Sequence, residues 1–302
     1  MEVGAWYFSI IVSIGLVVVF ALTFVPFYAR WRAYHHAVSI RIDLPVRLER
    51  TVSGRLMARE RGGSLGGLVF TVAATAAFHF EVGVNNDSDL TSMFIVGATF
   101  AGVGAGTAVA TLTGSATIAS DRPRVARARA VSVSDYLAPL ELVGARAVVI
   151  ASVVVLLVSA VLSAPGTGGA LFPIAFFAIF GAIALALFEV ASRRIVDLPQ
   201  PAGSTAELVW DDAIRASSLR DLATAPLALG AYCLVFGAVG IAESSTDPVA
   251  VTISYVVGGI FALVALAAAI FSIATRPQRY FLDRLWQDLR WSDTADLATD
   301  AV

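Results

Sequence analysis

The groups in this sequence best suited to hold a metal ion are gathered in "HFEVGVNNDSD", His79 to Asp89. Imidazole and carboxylate are ligands for divalent cations, which makes His79, Glu81, Asp87 and Asp89 the metal candidates. The competing account needs no ion: a polar loop with Asn85 and Asn86 that anchors a helix end at an interface. That account is preferred, and neither a metal nor a cofactor is expected. Asn86-Asp87-Ser88 has the form of a glycosylation sequon, a triplet common enough to arise by chance. His35 and His36 follow Trp31 and Tyr34 in an arginine-rich stretch, a setting that suits lipid headgroups better than ligation.

Patterns that would nominate a nucleophile or a phosphate cradle are missing. The chain has no His-Glu-x-x-His, no Gly-x-Ser-Gly, no Walker loop and no Cys-x-x-Cys. Gly102-Val-Gly104-Ala-Gly106 has the look of a nucleotide loop, yet no strand precedes it and it lies inside an apolar run. Cys233 is the lone cysteine, so it has no internal disulfide partner and reads as a small buried hydrophobe. No lysine is present, which removes the amine that a retinal Schiff base needs. An enzyme is not expected, and nothing calls for nucleic acid.

The elements that must position any site follow from composition. A mean hydropathy of +0.79, with 58% hydrophobic and 15% charged residues, lies outside the range of soluble globular chains. The apolar residues arrive in blocks long enough to cross roughly 30 Å of hydrocarbon. Seven are read, near 6–28, 65–82, 91–112, 147–163, 170–190, 222–241 and 249–274. Lipid offers no partner to free backbone amides, so these blocks should be helices. The alternating short strands of a β-barrel are absent. The expected fold is an all-α membrane bundle of seven spans over 1–274, with a cytoplasmic amphipathic helix and tail over 275–302.

All 21 basic residues are arginines, and they fall in the segments after the first, third, fifth and seventh blocks. Positive charge stays in the cytoplasm. The N-terminus is therefore expected outside and the C-terminus inside, with the first block an uncleaved anchor.

Asp43-x-Pro45, Asp121-x-Pro123, Asp197-x-Pro199 and Thr275-x-Pro277 recur every 76 to 78 residues, each after an odd-numbered block. Proline cannot continue an incoming helix and pushes the preceding residue into extended backbone. Each motif is read as a corner where a span leaves the bilayer and a surface helix begins. Those helices are expected near 49–61, 133–146 and 207–223. Two further spans then follow each, giving parallel repeats. In the first, second and third copies the surface helix could lie on lipid, pack under the bundle or dock a partner. In "YFLDRLWQDL" the face formed by Phe281, Leu285, Trp286 and Leu289 is the candidate partner surface.

Inside the bundle, Gly102, Gly106 and Gly114 are the expected helix-packing positions. Gly258-Gly259 and the series Ala178, Ala182 and Ala186 suggest further close contacts. Pro173 and Pro226 are read as lying near helix starts. No charge falls at mid-span, which argues against a proton-driven pump. Glu189, one turn from a span end, should pair with Arg193.

The lysine-free, Ala/Val-rich style, the "DRPR" and "DLPQP" corners and the "WDDAIRASSLRDL" helix resemble a class of multi-spanning membrane proteins of high-GC Gram-positive bacteria. The resemblance implies a polytopic membrane fold and no activity. The function expected is that of a non-enzymatic accessory or scaffold protein of the cell membrane. It would act through a cytoplasmic protein partner or a second copy of itself. The alternative is a transporter or channel component that moves a small solute between the repeats.

Overall fold

The computed structural model describes residues 3–79, 88–114, 131–162, 168–198, 200, 202–244, 248–249, 251–260, 263 and 279–287. Among these residues the regular structure is helical and no strand occurs. Among the described residues four helices are long and apolar enough to cross a membrane: Phe94–Thr113, Pro139–Val161, Ile174–Asp197 and Thr205–Gly240. A fifth crossing is counted if Tyr7–Leu22 and Pro26–Ile40 form one bent span. The outer surface matches that assignment. Ile150, Leu157 and Val161 on one helix, and Ile179, Ile183, Leu187 and Val190 on another, are exposed, as lipid-facing side chains are. The blocks read near 65–82 and 249–274 fall partly outside the described residues.

The first block is corrected by the structure. Helix α1 (Val3–Leu22) stops short of Tyr28, and α2 (Pro26–Ile40) leaves it at 92°. The cause is local. Pro26 has no amide hydrogen to offer Leu22, so the ladder ends there. The Thr23 hydroxyl turns back to donate to the Phe20 carbonyl at 2.6 Å. Arg61 then donates to Thr23 Oγ1 at 3.0 Å and to the Thr23 carbonyl at 2.9 Å. Its guanidinium lies 4.1 Å from the centroid of the Phe24 ring. A cation at the negative end of α1 is favourable there.

The surface helices are corrected as well. The helix read over 49–61 is the first half of α3 (Val46–His79), an unbroken rod of 34 residues that runs on into the block read from residue 65. The helix read over 207–223 likewise opens α8 (Thr205–Ser244), which has 40 residues. Pro226 therefore stands in a helix interior rather than near a start, a position that membrane helices tolerate. Only the middle copy breaks, into α5 (Val133–Tyr136) and α6 (Pro139–Leu162). The remaining elements are α4 (Ser88–Gly114), α7 (Gly168–Asp197), the short apolar α9 (Val251–Ile260) and α10 (Tyr280–Leu285).

The closest pairing joins α3 and α4. A Cβ added at Gly66 would sit 2.1 Å from the Gly102 carbonyl oxygen, and one added at Gly106 would sit 1.9 Å from that of Gly62. Gly102 and Gly106 thus act as expected, but against a second Gly-x-x-x-Gly, Gly62 and Gly66, that faces them. Thr71 and Thr99 hydroxyls meet across the same seam at 2.7 Å. Gly114 is the last residue of α4. Elsewhere Gly258 meets Ala238, whereas Gly259 faces open space. Ala178 is buried but Ala182 and Ala186 are exposed, so that alanine series is not a contact stripe.

The half of the bundle remote from the arginines is filled with aromatic rings. Phe177 stacks on Phe236 at 5.0 Å and on Tyr232 at 5.6 Å, with Phe94 at 6.1 Å. Gly97 makes room for Phe177, since a Cβ there would fall 1.9 Å from its ring.

Two glycines of one helix separate packing from propensity. Gly54 has nothing within 4 Å of an added Cβ, while Gly66 has backbone at 2.1 Å. Gly54→Ala should leave stability unchanged or raise it by up to about 1 kcal/mol. Gly66→Ala should lower it by about 1–3 kcal/mol. Thermal unfolding in detergent, read by tryptophan fluorescence on the two variants, checks the opposite signs.

Candidate functional site

At the arginine-rich end the first half of α8 is buried on nearly all sides. Leu208, Ala216, Leu219 and Ala223 are in the core, as their spacing implies, and Trp210 and Ile214 join them. The opposite face is the surprise. Asp212 and Ser218 are fully buried and Arg215 is 8% exposed. A buried carboxylate needs donors, and Asp212 receives them from three other parts of the chain. Tyr136 Oη donates to Oδ1 at 2.8 Å, Gln200 Nε2 to Oδ1 at 2.7 Å, and Trp286 Nε1 to Oδ2 at 2.9 Å.

Arg215 closes the end of α7. It donates to the carbonyls of Val196 at 3.2 Å and Leu198 at 2.8 Å. It also pairs with Asp211 at 3.0 Å, whose other oxygen meets Arg55 at 2.6 Å. Arg220 binds Glu141 at 2.8 Å, and the second Glu141 oxygen accepts the Ala138 amide at the start of α6. Trp210 Nε1 reaches the Asp43 carbonyl at 3.2 Å. The C-terminal segment returns to α2 through Arg279, which donates to the Ser39 carbonyl at 3.2 Å.

Beside this layer a cavity of about 380 Å³ lies in the crook of the α1–α2 elbow. Leu16, Val19, Leu56 and Val103 give it an apolar side; Arg32, Arg59, Glu60 and Asp221 give it a charged one. Arg32 pairs with Glu60 Oε1, and Arg59 with Asp221 and the Ser217 hydroxyl. Two of these lining residues each carry a buried atom with no hydrogen-bond partner, Arg59 Nε and Glu60 Oε2.

Helix α2 itself has two faces. Ala33, Ala37 and Ile40 are buried, while Phe27, Trp31, Tyr34 and Val38 are 78%, 47%, 68% and 56% exposed. Their spacing makes one stripe along a helix. Aromatic residues beside arginine are the composition of a membrane–water boundary.

The residues singled out from the sequence fare unequally. Phe281, Leu285 and Trp286, the expected partner face, turn into the chain's own core: Phe281 is 1% exposed, the other two pack against buried residues, and Trp286 binds Asp212. Leu289 lies outside the described residues, and α10 ends at Leu285. Of the corners, Asp43 contributes its carbonyl and Pro45 precedes α3, after α2 rather than directly after a span. Asp197 is the last residue of α7; Asp121, Pro123, Pro199 and Pro277 lie outside the described residues. So do Glu81 and Asp87, while His79 ends α3 and Asp89 stands in the first turn of α4. Among the described residues no cluster suited to a metal ion occurs. Glu189 pairs chiefly with Arg146, at 2.7 Å, and Arg193 stays 4.0 Å away. Cys233 is fully buried, its thiol directed at the Ser152 and Ile174 carbonyls.

What spacing missed is the role of Asp212. Its carboxylate looks like part of a solvated face because its donors are 76, 12 and 74 residues away. Comparison with protein families, with curated proteins and with solved structures finds no match to this chain.

Trp286→Phe keeps the ring but removes one donor to Asp212, and should cost about 1 kcal/mol. Asp212→Leu strands three buried donors and should cost about 3 kcal/mol or more. Both should speed tryptic cleavage at Arg284 in the detergent-solubilised chain, with the larger effect for Asp212→Leu.

Proposed function

We propose that this chain is a non-enzymatic accessory or scaffold protein of the bacterial cytoplasmic membrane. It crosses the bilayer seven times, with the N-terminus outside and the arginine-rich end in the cytoplasm. The Asp-x-Pro spacing supports reading it as parallel two-span units. The observation that carries the proposal is the division of the molecule. One half is filled by Phe94, Phe177 and Phe236, and the polar groups are concentrated at the arginine end in a network that fixes the fold.

The runner-up is a transporter or channel component. Its specific support is the charged cavity, whose lining residues come from several helices. The aromatic filling counts against it, because a solute path needs a continuous polar lining. A partner approaching the folded protein meets the exposed Asp283 and Arg284 of α10 rather than Phe281 and Trp286, which would first have to leave the core.

Three measurements test this. In a Cys233→Ser background, Ser88→Cys should react with an impermeant maleimide from outside, and Asp283→Cys only after permeabilisation. Proteoliposomes of the purified chain should hold ion and small-solute gradients as well as empty vesicles do. A photo-crosslinker at Arg284 should capture one defined protein in native membranes. Gradient dissipation by the protein, with no crosslinked partner, would reverse the order of the two readings.

A further inference from the structure

We propose that the cavity in the α1–α2 elbow is a binding site for a phospholipid headgroup carrying both a phosphate and a primary ammonium. The inference rests on membrane placement and not on the accessory role. Its first support is the position of the cavity. Leu16 and Val19 belong to an apolar helix, whereas Arg32 lies beyond the 92° bend. The exposed stripe of Phe27, Trp31, Tyr34 and Val38 sets α2 at the level where headgroups meet acyl chains. The cavity therefore straddles that boundary. It is open at its rim, where Val19 is 37% and Arg32 is 40% exposed.

The second support is chemical. Two guanidinium groups and two carboxylates line the cavity, Arg32, Arg59, Glu60 and Asp221, so its charge sums to zero. A net anion gains little there; a zwitterion can satisfy both signs. The buried atoms without partners in the protein are one donor, Arg59 Nε, and one acceptor, Glu60 Oε2. Leaving such atoms unpaired is costly. A small rotation of either side chain toward the cavity would give the first a phosphate oxygen and the second an ammonium N–H. The Tyr28 phenol, which interacts with Glu60, stands at the same end. A volume of about 380 Å³ lies at the lower end of small-molecule sites, roughly 300–1,000 Å³, which suits a headgroup with its acyl chains left along α1.

A choline headgroup has the phosphate but no N–H, and a glycerol headgroup has donors but a net negative charge. That gives a direct test by native mass spectrometry of the full-length chain titrated with each lipid. Phosphatidylethanolamine should bind at least about tenfold more tightly than phosphatidylcholine, the effect of one charge-assisted hydrogen bond, and more tightly than phosphatidylglycerol. Glu60→Gln keeps the volume and should shrink the preference over choline towards unity. Leu16→Phe fills the apolar side and should remove selective binding, with elution profile and melting temperature reporting that both variants are folded. Equal binding of the amine and choline lipids, tighter binding of phosphatidylglycerol, or selectivity that survives both substitutions would overturn the proposal. Glycerophosphoethanolamine, which lacks acyl chains, should bind far more weakly; equal affinity would overturn a lipid as the occupant. Failure here leaves the bundle intact, because labelling at Ser88→Cys and Asp283→Cys tests that separately.

Discussion

The arrangement at the arginine-rich end depends on a carboxylate that has no contact with solvent. Asp212 cannot be left in that position without donors, because an unpaired buried polar group costs more than its hydrogen bonds return. Its donors come from α5, from the segment before α8 and from the end of α10. Satisfying one side chain therefore fixes where three separated parts of the chain must lie. Arg215, one turn further along α8, does the same for the end of α7 by covering carbonyls that the helix leaves open. In lipid the hydrophobic effect does not pull helices together, so polar contacts of this kind have a larger share in selecting one packing.

The elbow after α1 shows the same logic at a helix end. A proline removes a donor, a threonine caps its own turn, and an arginine from another helix covers the exposed carbonyl. The consequence reaches beyond the turn. Because α2 runs across rather than along α1, it shelters one face against α3 and leaves an aromatic stripe on the other. The space inside the bend is the cavity with Arg59 and Glu60 on its wall.

Helicity, the apolar blocks and the clustering of arginine were legible without coordinates, because each rests on composition or on local period. The Gly62-x-x-x-Gly66 motif was also legible by the rule that singled out Gly102 and Gly106, and was masked by the basic residues just before it. The break at Thr23 was signalled by Pro26, but the unbroken apolar run made the block read as one span. The continuity of α3 and α8 was not legible in the same way. Polar and apolar halves look like two elements in sequence, and only the unbroken backbone ladder joins them. Least visible were Asp212 and the inward turn of Phe281 and Trp286. An amphipathic period says that a face is apolar and says nothing of whether the chain itself or a partner covers it.

The joining of those halves has a mechanical consequence. On α3 the residues Arg55, Arg59, Gly62 and Gly66 are separated by four, three and four positions, which places them on one stripe of the helix. The two arginines engage Asp211 and Asp221 on α8, and the two glycines engage α4. A rigid helix cannot rotate one end without the other. The ion pairs at one end therefore set the rotation of α3 at the other, where glycine must face glycine to within van der Waals contact. Charged residues need not enter the bundle to specify its packing; they need only lie on the same rod, in the right phase, one or two turns away.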